Sequence, residues 1–369
     1  MEDKTRKFYY QKLLELLKES GYDAVLLAPS EELEFLTGFS PMLCERFQGY
    51  FLTAKGEAFY FCNLLYADQM EAAYHGEIPI YSWFDGDGML CELTRVFEKY
   101  QLTGSKILVN QAVQAFQILD IHKALGVEFG NGNSLFEEIR IHKTQEELEG
   151  LQKAAEIADK AFEKVTGFIR AGLTEGEIGN FLKEQMAMLG GQNCGAMVAS
   201  GPNAGYPHYC EDKRVVQKGD MIILDYGCVW NGMHSDMSRT VFVEEIRPKW
   251  GEIYDIVDAA QHAGQDAVYK GAYIPNIDYA ARSVIEKAGY GGYFPYRLGH
   301  GIGYSVHEAP YIHGNNKWHL EPGMAFSVEP GIYLPGEGGV RIENIVTLDL
   351  RGNRKVLNQA TREKIVCGK

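Results

Sequence analysis

Asp225, Asp236, His300, Glu329 and Glu343 are far apart in the chain, yet each sits in a stretch with little reason to be exposed. Asp225 follows the apolar run Met221-Ile222-Ile223-Leu224, Glu329 follows Ala325-Phe326-Ser327-Val328, and Glu343 lies inside Val340 to Val346. An ionised carboxylate taken out of water must be paired or neutralised, because its desolvation costs more than a domain's net stability. The fold therefore has to gather these segments around positive charge. Two divalent cations would offset the four carboxylates. Without them, mutual repulsion would raise some of the carboxyl pKa values.

Turn chemistry gives two of the meeting points. Asn231-Gly232 is a strong two-residue hairpin signal. A hairpin centred there, with its first strand ending on Asp225, brings Asp236 opposite Gly227 and on the same face as Asp225. The two aspartates are then diagonal neighbours, roughly 7–8 Å apart. A solvated pair near a turn is the plainer alternative, and the apolar run before Asp225 argues against it. The turn Leu334-Pro335-Gly336-Glu337-Gly338 lies midway between Glu329 and Glu343, so a hairpin through it faces the glutamates, with Arg341 on the side of Glu343. His300 stands between glycines in Leu298-Gly299-His300-Gly301-Ile302-Gly303, which allows close backbone approach to a ligand or metal. His307, in Ser305-Val306-His307-Glu308-Ala309-Pro310, and His208, at the end of Gly201-Pro202-Asn203-Ala204-Gly205-Tyr206-Pro207-His208, stand out by their neighbours. His75, His122, His142, His262 and His313 read as structural.

At 369 residues the chain calls for two domains. The first third alternates helix and strand: a helical stripe of Tyr10, Leu13, Leu14 and Leu17, a cap at Gly21, and strands at Asp23–Leu27, Gly49–Thr53, Ala58–Cys62 and Lys106–Val109. The turn-rich Gly130-Asn131-Gly132-Asn133-Ser134 reads as the linker, giving domains 1–132 and 133–369. Capping boxes Thr144/Glu147 and Thr174/Glu177 open two helices, and Ile253, Ile256, Val257, Ala260 and Ala267 stripe a third. Strands dominate beyond Met221, so the second domain reads as α+β with antiparallel hairpins under helices.

A net charge of −14 argues against a nucleic-acid or anionic-membrane partner, and no apolar run reaches the length of a membrane span. The start runs into a mixed helix, so no leader peptide is expected. Seven scattered cysteines without a Cys-x-x-Cys pair read as free thiols in a reducing compartment, with cytoplasm the default.

The order Asp225-Tyr226-Gly227, His234-Ser235-Asp236-Met237-Ser238-Arg239-Thr240, Gly299-His300-Gly301-Ile302-Gly303, Glu329-Pro330-Gly331 and Arg341-Ile342-Glu343-Asn344 resembles the prolidase and Xaa-Pro aminopeptidase branch of the pita-bread metallopeptidases. The segments Gly21 to Leu27 and Phe35 to Phe39 resemble the creatinase-type N-terminal domain more loosely. The resemblance implies a creatinase-like α/β domain followed by a pita-bread catalytic domain. It implies that Asp225, Asp236, His300, Glu329 and Glu343 hold two divalent ions and that His208 and His307 contact substrate and stabilise the tetrahedral intermediate. Glu329 would help accept the proton of the attacking water, Arg341 would support the ligands, and the assembly would be a homodimer. Family members usually carry a further histidine four residues before the metal histidine, where this chain has Tyr296 on the substrate wall. A phenol donates a hydrogen bond but does not titrate near neutrality.

The activity implied is hydrolysis of the bond between an N-terminal residue and a following proline, in a dipeptide or short peptide. A metal-bridged hydroxide would be the nucleophile. Oxygen-rich donors favour Mn²⁺, with Co²⁺, Zn²⁺ or Fe²⁺ left open by ligand type. Three rivals share the fold: a methionine aminopeptidase-like enzyme, a creatinase-like C–N hydrolase without metal, and a non-catalytic peptide-binding relative.

Overall fold

The computed structural model describes residues 3–369. Its contacts divide the chain into Met1–Ile139 and Arg140–Lys369. The turn at Gly132, expected as the domain boundary, instead joins the strand Glu128–Asn131 to the helix Asn133–Arg140 within the first unit. Turn composition marks a change of element there, whether or not a domain ends with it.

In the first unit six strands form one sheet in the order Ile80–Trp83, Ala58–Asn63, Gly49–Thr53, Ala24–Leu27, Lys106–Val109 and Glu128–Asn131. The central strand is buried along its whole length, as its unbroken Ala-Val-Leu-Leu run requires. Aromatic packing fills one face: Phe51 stacks on Phe59 at 4.8 Å, and Phe59 on Tyr100 at 4.3 Å. The helix Asp3–Ser20 buries Tyr9, Leu13 and Leu17, so its inward stripe runs through Tyr9 rather than Tyr10.

In the second unit both capping boxes form, at Thr144 for the helix Gln145–Phe168 and at Thr174 for Glu175–Met188. These helices cover a sheet built on Met221–Trp230, flanked by Gln192–Ser200 and Met237–Val243. The helices Pro248–Asp266 and Ile274–Lys287 cover the other core, beneath strands including Ala325–Val328 and Asn344–Leu348. No helix among the described residues is long and apolar enough to cross a membrane.

The strand that was expected to end on Asp225 continues to Trp230. Its even positions, Ile222, Leu224, Tyr226 and Cys228, pack into the helix-covered core, leaving Asp225 and Gly227 on the opposite face. Register follows the Asn231-Gly232 turn throughout, from Trp230↔Met233 and Val229↔His234 to Met237↔Tyr226 and Phe242↔Met221. Between these pairings the backbone of Ser235 presses onto Gly227, where a Cβ would stand 1.9 Å from the Ser235 carbonyl oxygen.

Arg239 ties the strand Met237–Val243 to the Glu343–Asn344 segment and to the chain at Ala360 and Thr361. Fully buried, it donates to the carbonyls of Ser238, Glu343, Ala360 and Thr361 and to the Asn344 side chain. The Gly227→Ala protein should therefore be destabilised by at least the roughly 1–3 kcal/mol of an overpacked core, because backbone has to move. Denaturant unfolding checks this, and a wild-type midpoint would contradict it.

Candidate active site

Every functional side chain singled out in the sequence comes to one cavity of about 310 Å³, lined by Pro207, His208, Asp225, Asp236, Tyr296, Arg297, His300, His307, Glu329, Arg341 and Glu343. Asp225 reaches it from mid-strand, and Asp236 from the interruption beside Gly227. Glu329 and Glu343 occupy facing breaks between two ladders: Val328↔Asn344 closes one, and Gly331↔Arg341 opens the next. Neither glutamate uses its N–H in that hairpin. Glu343 donates to Ser238 O at 3.0 Å, and Glu329 to Leu298 O at 2.9 Å. The backbone that carries each carboxylate is thus fixed where three segments converge.

The glycines around His300 act differently from the expectation that they admit a ligand or metal. A Cβ at Gly299 would meet Ser327 O at 1.9 Å, and one at Gly301 would meet Ala309 O at 2.1 Å. They admit neighbouring backbone, which lets the strand Gly299–Gly301 sit tightly between its partners.

Three overlapping sets of donor atoms lie within 4.8 Å of one another: Asp225, Asp236 and Glu343; His300, Glu329 and Glu343; and Asp236, His300 and His307. His300 Nδ1 lies 3.0 Å from Gly301 O, and since a carbonyl only accepts, this nitrogen carries the proton. Nε2 then faces Glu329 Oε1 at 3.2 Å and Asp236 Oδ2 at 3.6 Å. A lone pair among carboxylate oxygens is the arrangement a cation resolves, and a backbone acceptor on the other ring nitrogen is the usual support for a metal-binding imidazole. Glu343 Oε2 accepts from Ser238 Oγ at 2.8 Å, while its buried Oε1 has no hydrogen-bond partner. Burial, and then repulsion from neighbouring carboxylates, holds Asp236 and Glu343 well above the ordinary carboxyl range. Burial also works against ionised Glu329, but interaction with His300, the charge of Arg341 and the Ser327 hydrogen bond outweigh it and lower its pKa. The donor set fits divalent cations.

Around the carboxylates lies a shell that the sequence reading largely passed over. Arg341 donates to Asp225 Oδ2 at 2.5 Å, Ser238 Oγ at 2.8 Å, Tyr333 Oη at 2.9 Å and Pro207 O at 3.1 Å. Tyr333 and Tyr296 share a hydrogen bond of 2.6 Å, and Tyr296 donates to Glu329 O at 3.2 Å. Tyr296 lines the cavity, but its hydroxyl is engaged with protein. Ser327 Oγ donates to Glu329 Oε1 at 2.9 Å and accepts from His300 N. Ser238 and Ser327 each lie two residues from a carboxylate on the same strand path, so the alternation of a β-strand was the available signal for them. Tyr333 carried no such signal. His307 packs edge-on against His300, with ring centroids 4.2 Å apart. Burial, then the proximity of His300 and Arg297, pushes it down to about 4.

Residues 149–349 match the metallopeptidase family M24, and residues 10–142 match the creatinase/prolidase N-terminal domain. The chain belongs to metallopeptidase family M24. It is 34% identical over 366 residues to an Xaa-Pro dipeptidase of Lactobacillus delbrueckii subsp. lactis, covering 96% of this chain and 98% of that one. Among solved structures, the prolidase of Thermococcus sibiricus superposes with a TM-score of 0.92 at 31% identity, over 99% of each chain. The X-Pro aminopeptidase of Thermotoga maritima superposes at 0.83 and 28% identity, over 97% of this chain and 99% of its own. The two-domain creatinase and pita-bread architecture expected from the sequence is therefore present, and the protein is a metallopeptidase.

Membership of M24 implies divalent metal ions. In their absence, the raised pKa values of Asp236 and Glu343 mean that stability is lost as pH rises from the ordinary carboxyl range, about 4, through those raised values. Chelated protein should melt below metal-loaded protein at pH 7, and the gap should narrow on acidification as the two groups take up protons. Calorimetry at several pH values, with metal content verified, checks this. Equal melting temperatures at pH 7 would contradict it.

Proposed function

We propose that this enzyme hydrolyses the peptide bond between an N-terminal residue and a following proline, in dipeptides or short peptides. Two divalent ions, Mn²⁺ by preference of an oxygen-rich donor set, are held by Asp225, Asp236, His300, Glu329 and Glu343. The observation that carries the proposal is the convergence of these five groups on one cavity that also takes in His208 and His307. The proline preference is supported by the names of relatives aligned along nearly the whole chain.

When bound, the ions supply Lewis acidity at the scissile carbonyl and lower the pKa of a water toward neutrality. The protein's own groups do the rest. Glu329, steadied by Ser327, accepts the proton as water attacks and passes it to the departing proline nitrogen. His208 and His307 donate to the carbonyl oxygen as it gains charge. Arg341 holds Asp225 in place and links it, through Tyr333 and Tyr296, to the backbone of Glu329.

Metal-loaded protein should cleave Xaa-Pro substrates in preference to Met-Ala peptides. The Asp236→Asn variant should lose more activity than the roughly 10–100-fold typical of removing a partner around a metal ligand. A peptide panel run with Mn²⁺, Co²⁺, Zn²⁺ and Fe²⁺ checks both. Cleavage without dependence on proline, or none with any metal, would defeat the proposal.

A further inference from the structure

His307 stands on a bend between two strands. Gly299–Gly301 and Glu308–Ile312 pair antiparallel, with Gly301 opposite Glu308, and residues 302–307 close the hairpin. His300 is thus at one foot of this loop and His307 at the other. Within the loop Val306 and His307 are exposed, whereas Ser305 and Glu308 on either side of them are buried. Beneath it lie three charged side chains that the mechanism above does not use: Glu308, Lys143 and Arg140. None of the three lines the catalytic cavity.

The Glu308 carboxylate folds back under the loop. Its Oε2 accepts from Ser305 N at 3.2 Å, which closes the turn on both sides of His307, and its Oε1 accepts from Lys143 Nζ at 2.6 Å. The side chains of Lys143 and Glu308 are only 3% and 2% exposed. Arg140 Nη1 donates to Ser305 Oγ at 3.0 Å and lies 4.0 Å from Glu308 Oε2. Gly303 makes room for the pair, since a Cβ there would stand 2.6 Å from Glu308 Oε1 and 2.8 Å from Lys143 Cε. The lysine is itself held: its N–H donates to Gly323 O at 2.9 Å, one residue before the helix cap at Thr144. A buried ion pair is a poor source of stability, because desolvating two charges offsets most of their attraction. This pair supplies geometry instead. Both carboxylate oxygens are committed, to partners on different segments, and the turn that carries His307 is fixed with them.

We propose that Lys143 and Glu308 are positioning residues for His307, holding its imidazole where it donates to the carbonyl oxygen as charge develops there. The pair acts through His307, and a donor misplaced by about 1 Å costs on the order of 100-fold in rate. The inference rests on the role given to His307 under the Xaa-Pro reading above, and it adds how the fold aims that group.

The test is a double-mutant cycle between Lys143→Met and His307→Ala on an Xaa-Pro dipeptide, with metal content and melting temperature measured for every variant. Lys143→Met should keep its metal and lower kcat by roughly 30- to 100-fold, with KM within about threefold of wild type, because the contact weakened is one made in the transition state. In the His307→Ala background the same substitution should cost less than about threefold, since the group it aims is gone. Losses that multiply, or a wild-type kcat in Lys143→Met, would overturn the positioning role and leave the Xaa-Pro reading intact. Lys143→Met strands a buried carboxylate, so Lys143→Met/Glu308→Gln serves as a second probe, removing both charges while keeping an acceptor for Ser305. It should melt close to wild type and still lose at least about tenfold in kcat, again only when His307 is present. Should Lys143→Met fail to fold, this double variant decides. An unchanged kcat in His307→Ala would remove the role of His307 and the positioning role with it. Failure of the wild type on every Xaa-Pro substrate is a separate outcome that would remove the reading and the inference together.

Discussion

Repulsion among four carboxylates is the constraint to which the catalytic unit is built. Asp225, Asp236, Glu329 and Glu343 share one cavity with His300, and Glu343 is almost wholly buried. Such a cluster is unfavourable unless cations neutralise it, so the surrounding structure has to hold the groups together against their own charge. It does so with backbone. Both glutamates lie where a ladder is interrupted and give their N–H groups to a third segment, Ser238 for Glu343 and Leu298 for Glu329, and Asp236 lies where Ser235 crowds Gly227. The carboxylates are fixed by sheet register more than by side-chain packing.

That reliance on register explains what could be read from the sequence. Asn231-Gly232 and the Pro335-Gly336 turn each define a hairpin axis, and pairing about those axes determines which residues face each other. The caps at Thr144 and Thr174 were legible for a similar reason, since a box needs only local spacing. Features that depend on tertiary packing were not. The strand through Asp225 runs on to Trp230 because Tyr226 and Cys228 find a core formed by distant helices. The helix Ile274–Lys287 was overlooked although Pro275 stands in its first turn, since its buried face includes Asp278, paired with Arg282 at 2.9 Å. The partners of Arg341 could not be read because Tyr333 reaches it across a hairpin whose pairing says nothing of hydroxyl direction.

Tyr296 connects groups on opposite sides of the cavity. Its hydroxyl, Tyr333 and Arg341 form a continuous chain of hydrogen bonds from the Glu329 carbonyl to the Asp225 carboxylate. A phenol at this position joins two of the clustered carboxylate residues through groups that keep their protons at physiological pH. The hydroxyl of Tyr296 therefore belongs to the wiring behind the carboxylates.

The two hairpin axes also limit how this gene can change length. Because side chains alternate across a sheet, one codon gained between Met221 and Asp225, or between Glu343 and Leu348, would turn a carboxylate to the far side of its strand. Codons gained at the tips beyond Trp230 or Leu334 would enlarge a loop and leave every pairing below it in step. Natural insertions and deletions in this half of the molecule should accordingly be confined to its turns.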